Sequence, residues 1–236
     1  MNSKSVHLIR LDGSHALGLG HVYRTRGLAL QLRNEKQDSL FLVNNNSSVL
    51  KLLEDFQVKV LRDDYTDDEV NETITNIIQS RNIRTIISDL LFYPKPYINF
   101  LKKIKLPKVS FHEHITDDSF SEILINYNTF KNSLSLVETK SLNCLGPKYC
   151  ILPKTLLRHK PISVKMNVKK ILLTFGGSDP TNFSCKVLKL LNHFKNCFDT
   201  QIEFTLHLGI ANIREKEVKS IMKLSSLKFK LVREID

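Results

Sequence analysis

The stretch VHLIRLDGSHALGLGHVYRTRGLALQL, residues 6 to 32, joins a β-like apolar run to a glycine-rich turn and a helix-like segment. Gly13, Gly18 and Gly20 lie in the turn. A strand, a glycine turn and a helix N-terminus together present backbone N–H groups and a positive dipole end to an anion, and glycine lets a phosphate approach without a Cβ in its way. The stretch therefore predicts an α/β unit with an anion site at this turn.

A second stretch of the same design, KKILLTFGGSDPTNFSCKVLKLL, covers residues 169 to 191 and places Gly176 and Gly177 after its apolar run. The two turns hold five of the 8 glycines in the chain. Two such turns, far apart in the sequence, predict two α/β units that face each other across a cleft and act on a nucleotide-linked molecule.

The composition is that of a globular protein without a membrane span. The 236 residues are 42% hydrophobic, enough to bury the core of one large or two modest domains. No apolar run approaches the roughly 18 residues of a transmembrane helix, and residues 1 to 13 show no secretory signal. The 4 cysteines fit no zinc or redox spacing, so we expect reduced thiols in a cytoplasmic protein.

The net charge of +11 raises the hypothesis of a nucleic-acid partner. The 35 basic residues are spread along the chain among 24 acidic ones, however, without an RNA-binding motif or a long basic block. The densest run, KKIKLPK at residues 102 to 108, fits a solvated helix end as well as a phosphate patch. We expect no nucleic acid, and a basic surface that attracts an anionic nucleotide or an acidic partner.

Strand-like and helix-like segments alternate, which predicts parallel sheets covered by helices. The strands expected in a first domain, residues 1 to 160, are Val6–Leu11, Ser39–Val43, Val58–Leu61, Thr85–Ser88, Val109–Phe111, Ile123–Ile125 and Asn143–Leu145. The helices expected between them are Val22–Arg33, Ser47–Asp55, Asp67–Arg81 and Lys95–Ile104. Residues 157 to 168 lose this periodicity and are the expected linker.

A second domain, residues 168 to 236, is expected to contain the strands Lys170–Phe175, Ile202–Leu208 and Lys228–Val232 and the helices Phe183–Phe194 and Ile213–Leu224. The series stops at Asp236, after its third strand. Because three strands leave sheet edges uncovered, we expect this domain to be incomplete and to associate with a partner or with another copy of the chain.

His21 follows the first glycine turn at the start of a helix. The helix dipole there disfavours its protonated form, and a neutral imidazole is what a general base requires; the alternative is a histidine that caps or packs. Arg10 and Arg24 either hold a phosphate, orient His21 or form surface ion pairs. Asp89 ends the strand-like TIISD, either at the cleft or as a loop cap.

The second turn reads GGSDPTN, residues 176 to 182. Ser178 or Asp179 is expected to cap the following helix, and Pro180 suits its first turn. Asn182 either reaches a ligand from the first turn or is solvated. The caps alone do not explain why the glycine is doubled at the end of the strand.

The segment FHEH, residues 111 to 114, superficially resembles a metal site. His112 and His114 are two residues apart, without the i, i+4 spacing of zinc-binding helices, and no third ligand is identifiable. We therefore expect no metal.

Residues 10 to 24, RLDGSHALGLGHVYR, resemble the R-x-D-x-x-x-x-x-G-x-G-H-x-x-R signature of nucleotide-sugar hydrolases of the pseudaminic acid pathway. These enzymes remove UDP from UDP-2,4-diacetamido-2,4,6-trideoxy-β-L-altropyranose, and spore-coat polysaccharide proteins share the signature. GGSDPTN resembles the second glycine loop of the family, and N-Y-N, Asn126 to Asn128, resembles its N-x-N stretch. The family is similar to the glycosyltransferases that make lipid II, so the resemblance implies two Rossmann-like domains of glycosyltransferase-B type, here with the second incomplete.

The resemblance implies that His21 is the catalytic base, activating water for inverting attack at the anomeric carbon without metal or cofactor. UDP is already a good leaving group, so one base suffices. The residues expected to bind the UDP-sugar are Arg10, Asp12, Gly18, Gly20, Arg24, Asp89, Asn126, Gly176, Gly177, Ser178, Asp179 and Asn182.

The chain departs from the family pattern in several places. His112 and Glu113 stand where paired aspartates are usual, Leu91 replaces an aromatic residue, and Pro153 stands near an expected arginine. A glutamate that contacts uridine and ribose in the family belongs to a later segment that this chain does not contain. Two alternatives therefore stay open: a glycosyltransferase using a UDP-sugar donor, and an inactive half-protein that binds a nucleotide or a partner.

Overall fold

A computed structural model describes residues 5–112, 120–128, 141–152, 156–160, 163 and 166–233. The chain forms two compact units. The first comprises the residues up to Gly13 and His21–Leu157, and the second comprises Ser14–Gly20 and the chain from Arg158 onward. The junction after Leu157 lies at the start of the expected linker, whereas the assignment of Ser14–Gly20 to the second unit was not expected from the sequence.

The first unit is built on a seven-stranded sheet, all of whose strand pairs are parallel. Its strands are β1 (Val6–Leu11), β2 (Asp38–Val43), β3 (Gln57–Val60), β4 (Ile83–Asp89), β5 (Lys108–Phe111), β6 (Ile123–Asn126) and β7 (Leu142–Leu145). Its helices are α1 (Gly20–Asn34), α2 (Ser47–Leu52), α3 (Asp67–Ser80) and α4 (Lys95–Lys103). Central strands such as β1 are buried on both faces, because helices cover both sides of a parallel sheet.

The strand order is β3-β2-β1-β4-β5-β6-β7. Strands β2 and β3 are added on one side of β1 and strands β4 to β7 on the other, so the order of strand addition reverses between β1 and β4. In open α/β sheets a ligand crevice forms outside the carboxyl ends of the two strands at such a switch point. Residues that follow β1 or end β4 are therefore placed at the edge where ligands bind in this class of fold.

The second unit contains a three-stranded parallel sheet of order β10-β9-β8 in the described residues. Its elements are β8 (Lys170–Thr174), α5 (Phe183–His193), β9 (Glu203–His207), α6 (Glu215–Lys223) and β10 (Lys228–Val232). A core that includes Cys185, Leu188 and Leu206 lies between the sheet and the two helices. Three short 3-10 helices complete the described elements. Pro147–Tyr149 belongs to the first unit, Leu156–Arg158 spans the junction between the units, and Lys195–Cys197 belongs to the second unit.

The α/β fold predicted from the sequence is confirmed, and the predicted strands and helices are found within two or three residues of their expected bounds. One local prediction was wrong: Pro180 does not lie in the first turn of α5, which begins at Phe183. The turn before α5 is longer because Asp179 and Asn182 both adopt positive φ angles, 47° and 56°. Among the described residues, none of the helices is long and apolar enough to cross a membrane.

Candidate functional site

The carboxyl edge of the first sheet brings His21, Arg24 and Asp89 together. Asp89 is the last residue of β4, and His21 lies in the first turn of α1, which follows β1. Arg24 is one helical turn beyond His21 and faces the same way, since residues three apart share a helix face. The three side chains meet at the switch point between β1 and β4.

His21 is bound to Asp89 through one ring nitrogen. Its Nδ1 lies 2.6 Å from Asp89 Oδ1, and the two side chains are 5% and 0% exposed. Because a carboxylate only accepts hydrogen bonds, Nδ1 carries the proton in this contact, and the neutral ring then has its lone pair on Nε2. The arrangement is that of a histidine held in one tautomer by a buried carboxylate, ready to accept a proton at Nε2.

Arg24 binds both oxygens of the same carboxylate. Its Nε donates to Asp89 Oδ2 and its Nη2 to Asp89 Oδ1, 2.5 Å away, so the pair is bidentate. Arg24 Nη2 also lies 2.8 Å from His21 Nδ1; because both carry N–H groups in this tautomer, they do not bond to each other but share Asp89 Oδ1 as their acceptor. Burial lowers the pKa of Arg24, but its hydrogen bonds and the charge of Asp89 outweigh this, and the pKa is raised overall. Arg24 therefore stays cationic and compensates the buried charge of Asp89.

Tyr127 extends the cluster and was not among the predicted residues, although it lies in the N-Y-N stretch. Its hydroxyl accepts a hydrogen bond of 2.5 Å from Arg24 Nη1, and the Arg24 guanidinium lies 5.4 Å from the centre of its ring. On another side the guanidinium lies 5.3 Å from the ring centre of Phe111. Two aromatic rings thus fix the arginine that fixes Asp89.

The predicted residues Arg10 and Asp12 form a separate pair. Arg10 Nη1 donates to Asp12 Oδ1 at 2.6 Å and Nη2 to Asp12 Oδ2 at 2.8 Å, while the Tyr65 hydroxyl donates to Asp12 Oδ2 at 2.9 Å. Arg10 stands opposite Ser88 in the sheet, and neighbouring residues of a strand point to opposite faces, so Arg10 and Asp89 lie on different faces. Of the two arginines, Arg24 is the one in contact with His21.

Asn126, the last residue of β6, is 1% exposed at the same sheet edge. Its Oδ1 accepts from the backbone N–H of Asn128 at 3.0 Å, which forms an Asx turn. Its Nδ2 has no hydrogen-bond partner among the described residues. The side chain is thus available as a donor, and among the described residues it forms no hydrogen bond with the His21 cluster.

The first glycine turn is closed by backbone hydrogen bonds. Gly18 donates to the carbonyl of Ser14 at 2.9 Å and has a φ of +81°, a conformation that strains any residue with a Cβ. Gly20 is the first residue of α1. A Cβ built on Gly18 or Gly20 meets no atom within 4 Å, so both have open space beside the backbone, as an approaching anion requires.

The second glycine turn is organised by Asp179. Its Oδ1 and Oδ2 accept from the backbone N–H groups of Phe183 and Ser184, each at 2.8 Å, so Asp179 caps α5 as predicted. Asn182 holds the N-cap position without capping through its side chain. Ser178 and Asp179 are both 2% exposed. The first N–H groups of α5 are consequently bonded to a carboxylate already, which makes this helix end a poor phosphate site.

A third turn with a glycine, Gly209, follows β9 and was not predicted from the sequence. Its position resembles that of the two predicted glycine turns, each of which also follows a strand. A Cβ at Gly209 would lie 2.4 Å from the carbonyl oxygen of Gly177. Ala211 N–H donates to that carbonyl at 3.0 Å, and His15 Nδ1 lies 3.0 Å from the carbonyl oxygen of Ala211. Leu19, 1% exposed, lies against Gly177. The two predicted glycine turns and the turn after β9 therefore meet within the second unit.

The segment FHEH is only partly described, since Glu113 and His114 lie outside the described residues, as does Pro153. His112 is buried, its ring stacks on Tyr93 with centres 4.7 Å apart, and its Nε2 lies 2.9 Å from Ser110 Oγ. Burial raises the pKa of Tyr93 well above its usual value. These contacts favour a packing role for His112, and no group of three metal-binding side chains occurs in the described part of the chain.

No protein-family model matches the sequence. Two curated relatives do. The uncharacterized protein MJ1062 of Methanocaldococcus jannaschii is 31% identical over 241 residues, covering 95% of this chain and 47% of that protein. The spore coat polysaccharide biosynthesis protein SpsG of Bacillus subtilis is 27% identical over 215 residues, covering 88% of this chain and 60% of SpsG. The chain thus spans about half the length of the curated relatives it matches.

Several solved structures share the fold. MurG of Acinetobacter baumannii matches with a TM-score of 0.59 at 10% identity, over 98% of this chain and 69% of MurG. The S. aureus MnaA co-structure with UDP gives 0.58 at 12%, over 98% and 69%. UDP-GlcNAc 2-epimerase of Neisseria meningitidis, bound to UDP-GlcNAc, gives 0.52 at 12%, over 98% and 72%. At these identities the likeness establishes the fold, and it confirms the predicted glycosyltransferase-B class.

Proposed function

We propose that the chain acts on a UDP-sugar in surface polysaccharide or pseudaminic acid biosynthesis and hydrolyses the bond between the sugar and UDP. The observation that carries this proposal is the buried contact between His21 Nδ1 and Asp89 Oδ1 at the switch point of the first sheet. The names of relatives support the substrate class: SpsG is a spore coat polysaccharide biosynthesis protein, and matching structures hold UDP or UDP-GlcNAc.

The proposed reaction uses His21 as a general base. Nε2 takes a proton from water while the water oxygen attacks the anomeric carbon, and the bond from that carbon to the β-phosphate oxygen breaks on the opposite face. The electron pair leaves with UDP, and the sugar is released with inverted configuration. Asp89 stabilises the imidazolium that forms, through the hydrogen bond at Nδ1.

Arg24 and the first glycine turn have supporting roles in this proposal. Arg24 keeps Asp89 in place and balances its charge, as the bidentate contact indicates. The diphosphate is held by the N–H groups at the start of α1, whose first turn contains no acidic residue. The start of α5 suits this task less well because Asp179 already occupies its N–H groups.

A glycosyltransferase is the second candidate, because the glycosyltransferase-B fold shared with MurG accommodates either reaction. The same base would then remove a proton from a sugar hydroxyl in place of water, with no change in the residues described. The two reactions differ only in the nucleophile, so a measurement of the products separates them.

The test incubates the protein with UDP-GlcNAc, and with the diacetamido UDP-sugar named above, in H₂¹⁸O. Hydrolysis by attack at carbon gives free sugar with ¹⁸O at the anomeric carbon and unlabelled UDP, formed without any acceptor. UDP release that depends on an added sugar acceptor would establish the transferase instead. Label in the UDP would mean attack at phosphorus and would contradict both.

A further inference from the structure

A groove follows the outer edge of the first sheet, between strand β3 and helix α3. It consists of two cavities of about 570 and 310 Å³, which share Lys59, Thr73 and Asn76 and so adjoin each other. The first extends to Arg81 and the second to Arg62, so together they run along the strand. An elongated, open groove fits an extended chain better than it fits a compact ligand, which pockets of roughly 300–1,000 Å³ enclose. We call this surface the edge groove.

Strand β3 has one side available for further pairing. In the described part of the chain it is the last strand of the sheet and pairs with β2 alone. The Leu61 N–H donates to the Val43 carbonyl at 2.8 Å. Backbone groups alternate in direction along a strand, so Val58 and Val60 turn their N–H and C=O groups away from β2. Among the described residues no hydrogen bond reaches these groups, and such an edge can accept an added strand.

The first of the two cavities carries an excess of positive charge. Lys59 and Arg81 line it, and no carboxylate is found among its described lining residues. Arg81 Nη1 donates to Gln57 Oε1 at 2.7 Å, which holds Arg81 beside the start of β3. Gln57 and Lys59 lie on one face of the strand roughly 6.6 Å apart, which is the spacing of alternate side chains. The two cations are therefore placed to meet alternate side chains of a neighbouring strand.

The charges of the edge groove also bear on which partner fits it. Glu69 and Glu72 line the second cavity, where Arg62 is bound to Glu69, so both signs of charge are present there. Strand β3 of a second copy would bring another Lys59 to this edge, and like charges across a strand pair are destabilising. An acidic segment, in contrast, complements the positive charge of the first cavity.

We propose that the edge groove binds an extended acidic segment of a partner protein as an added strand beside β3. The backbone of the segment pairs with the outward N–H and C=O groups of Val58 and Val60. Two acidic side chains of the segment, two positions apart, enter the first cavity and lie near Lys59 and Arg81. Among the described residues, none of the His21 cluster lines the edge groove, so this site is separate from the reaction proposed above.

The test measures binding of the acetylated and amidated peptide VEVEV to the whole chain by calorimetric titration. The peptide VKVKV keeps the strand propensity and reverses both charges. Two further forms of VEVEV carry N-methyl groups, one on its glutamates and the other on its third and fifth residues, so each lacks the N–H groups of one side of the strand. Spectra of the ¹⁵N-labelled protein locate the binding through the amide signals of Val58 and Val60.

We expect VEVEV to bind about tenfold more tightly than VKVKV, because two opposite-charge contacts take the place of two like-charge contacts. The amide signals of Val58 and Val60 should shift on binding. One N-methylated peptide should bind like VEVEV and the other should lose most of its binding, because the N–H groups of only one side face β3. Equal binding of VEVEV and VKVKV, or an equal effect of the two methylation patterns, would overturn the proposal.

Charge reversal in the protein supplies the matched variants. Lys59→Glu, at an exposed residue, should lower the preference for VEVEV over VKVKV at least about threefold. Lys230→Glu changes an exposed lysine of β10, the edge strand of the other sheet, and should leave the preference unchanged. An unaltered preference in Lys59→Glu would contradict the proposed charge contact. Light scattering tests the other occupant, since a dimer that VEVEV dissociates would mean that a second copy, and not an acidic partner, fills the groove.

Discussion

The side chains that make His21 a candidate base also form a buried ion pair. Arg24 and Asp89 have side-chain exposures of 7% and 0%. Removing one partner of such a pair leaves an uncompensated buried charge, which is typically destabilising by about 3–5 kcal/mol. Loss of activity in a variant of Arg24 or Asp89 therefore has to be separated from loss of folding, whereas His21 can be replaced by a neutral side chain without creating such a charge.

His21→Asn tests the base directly. We expect turnover of the UDP-sugar to fall about 100- to 10,000-fold, the usual contribution of a general base, while UDP still binds because the glycine turns are untouched. Calorimetric titration with UDP and a product assay measure the two effects. His193→Asn, at an exposed histidine in α5, is the control and is expected to be fully active. Near-normal turnover in His21→Asn would exclude the general-base role.

Asp89→Asn tests the orientation of that base. The amide keeps the shape of the carboxylate but no longer compensates Arg24, and its NH₂ group can turn toward Nδ1 and impose the wrong tautomer. We expect kcat to fall at least about 100-fold with a much smaller change in KM, since the loss concerns the transition state. Circular dichroism and a denaturant titration establish that the variant is folded. A folded Asp89→Asn protein with wild-type kcat would mean that His21 needs no carboxylate partner.

At the scale of elements, the second unit depends on the close approach of turns at one end of its sheet. The carbonyl of Gly177 accepts the Ala211 N–H, and Gly209 lies so close to Gly177 that no side chain fits between them. The obstacle is backbone, which cannot rotate away as the end of a flexible side chain can. The separation of the two turns is thus set by the absence of a Cβ at a single position.

Gly209→Ala should therefore destabilise the protein by at least about 2 kcal/mol, because one turn must move to admit the methyl group. Gly20→Ala is the matched change at a glycine whose Cβ position is empty and whose φ is not positive, and we expect it to stay within about 0.5 kcal/mol of wild type. Urea titrations of the three proteins measure both effects. Equal stability of the two variants would contradict the close approach.

The elements themselves could be predicted because each is encoded locally. The apolar runs, glycine turns and helical periodicity gave strand β1 its bounds, Val6–Leu11, and gave α5 its first residue, Phe183. The contact between His21 and Asp89 could not be predicted in this way, since the two are 68 positions apart and meet only because β4 lies beside β1. Strand order arises from how the whole sheet packs. For the same reason Tyr127, 103 positions from Arg24, was missed.

The whole molecule contains two units with separate cores. Ile86 and Ile74 are buried in the first unit, and Leu188 and Leu206 in the second. Proteins whose units have independent cores commonly depart from two-state unfolding. The stability of this chain is therefore better described by two free energies of unfolding than by one.

Calorimetry should accordingly show two unfolding transitions. A core substitution in one unit should lower the midpoint of only one of them. Leu188→Ala and Ile86→Ala each remove a fully buried aliphatic side chain, at a cost of about 2–5 kcal/mol. We expect Leu188→Ala to lower one midpoint by roughly 10 °C and Ile86→Ala to lower the other. A single transition that both variants shift alike would show that the units unfold as one.

Ser14–Gly20 belongs to the second unit although the residues on both sides of it belong to the first, and this affects recombination between related genes. A single crossover near Leu157 exchanges most of the second unit but leaves these seven residues with the first parent. Leu19 of one parent would then face Gly177 of the other, and His15 would face a foreign turn after β9. We therefore expect a chimaera that exchanges residues 14–20 together with the chain after Leu157 to keep these contacts, and a single-crossover chimaera to lose them.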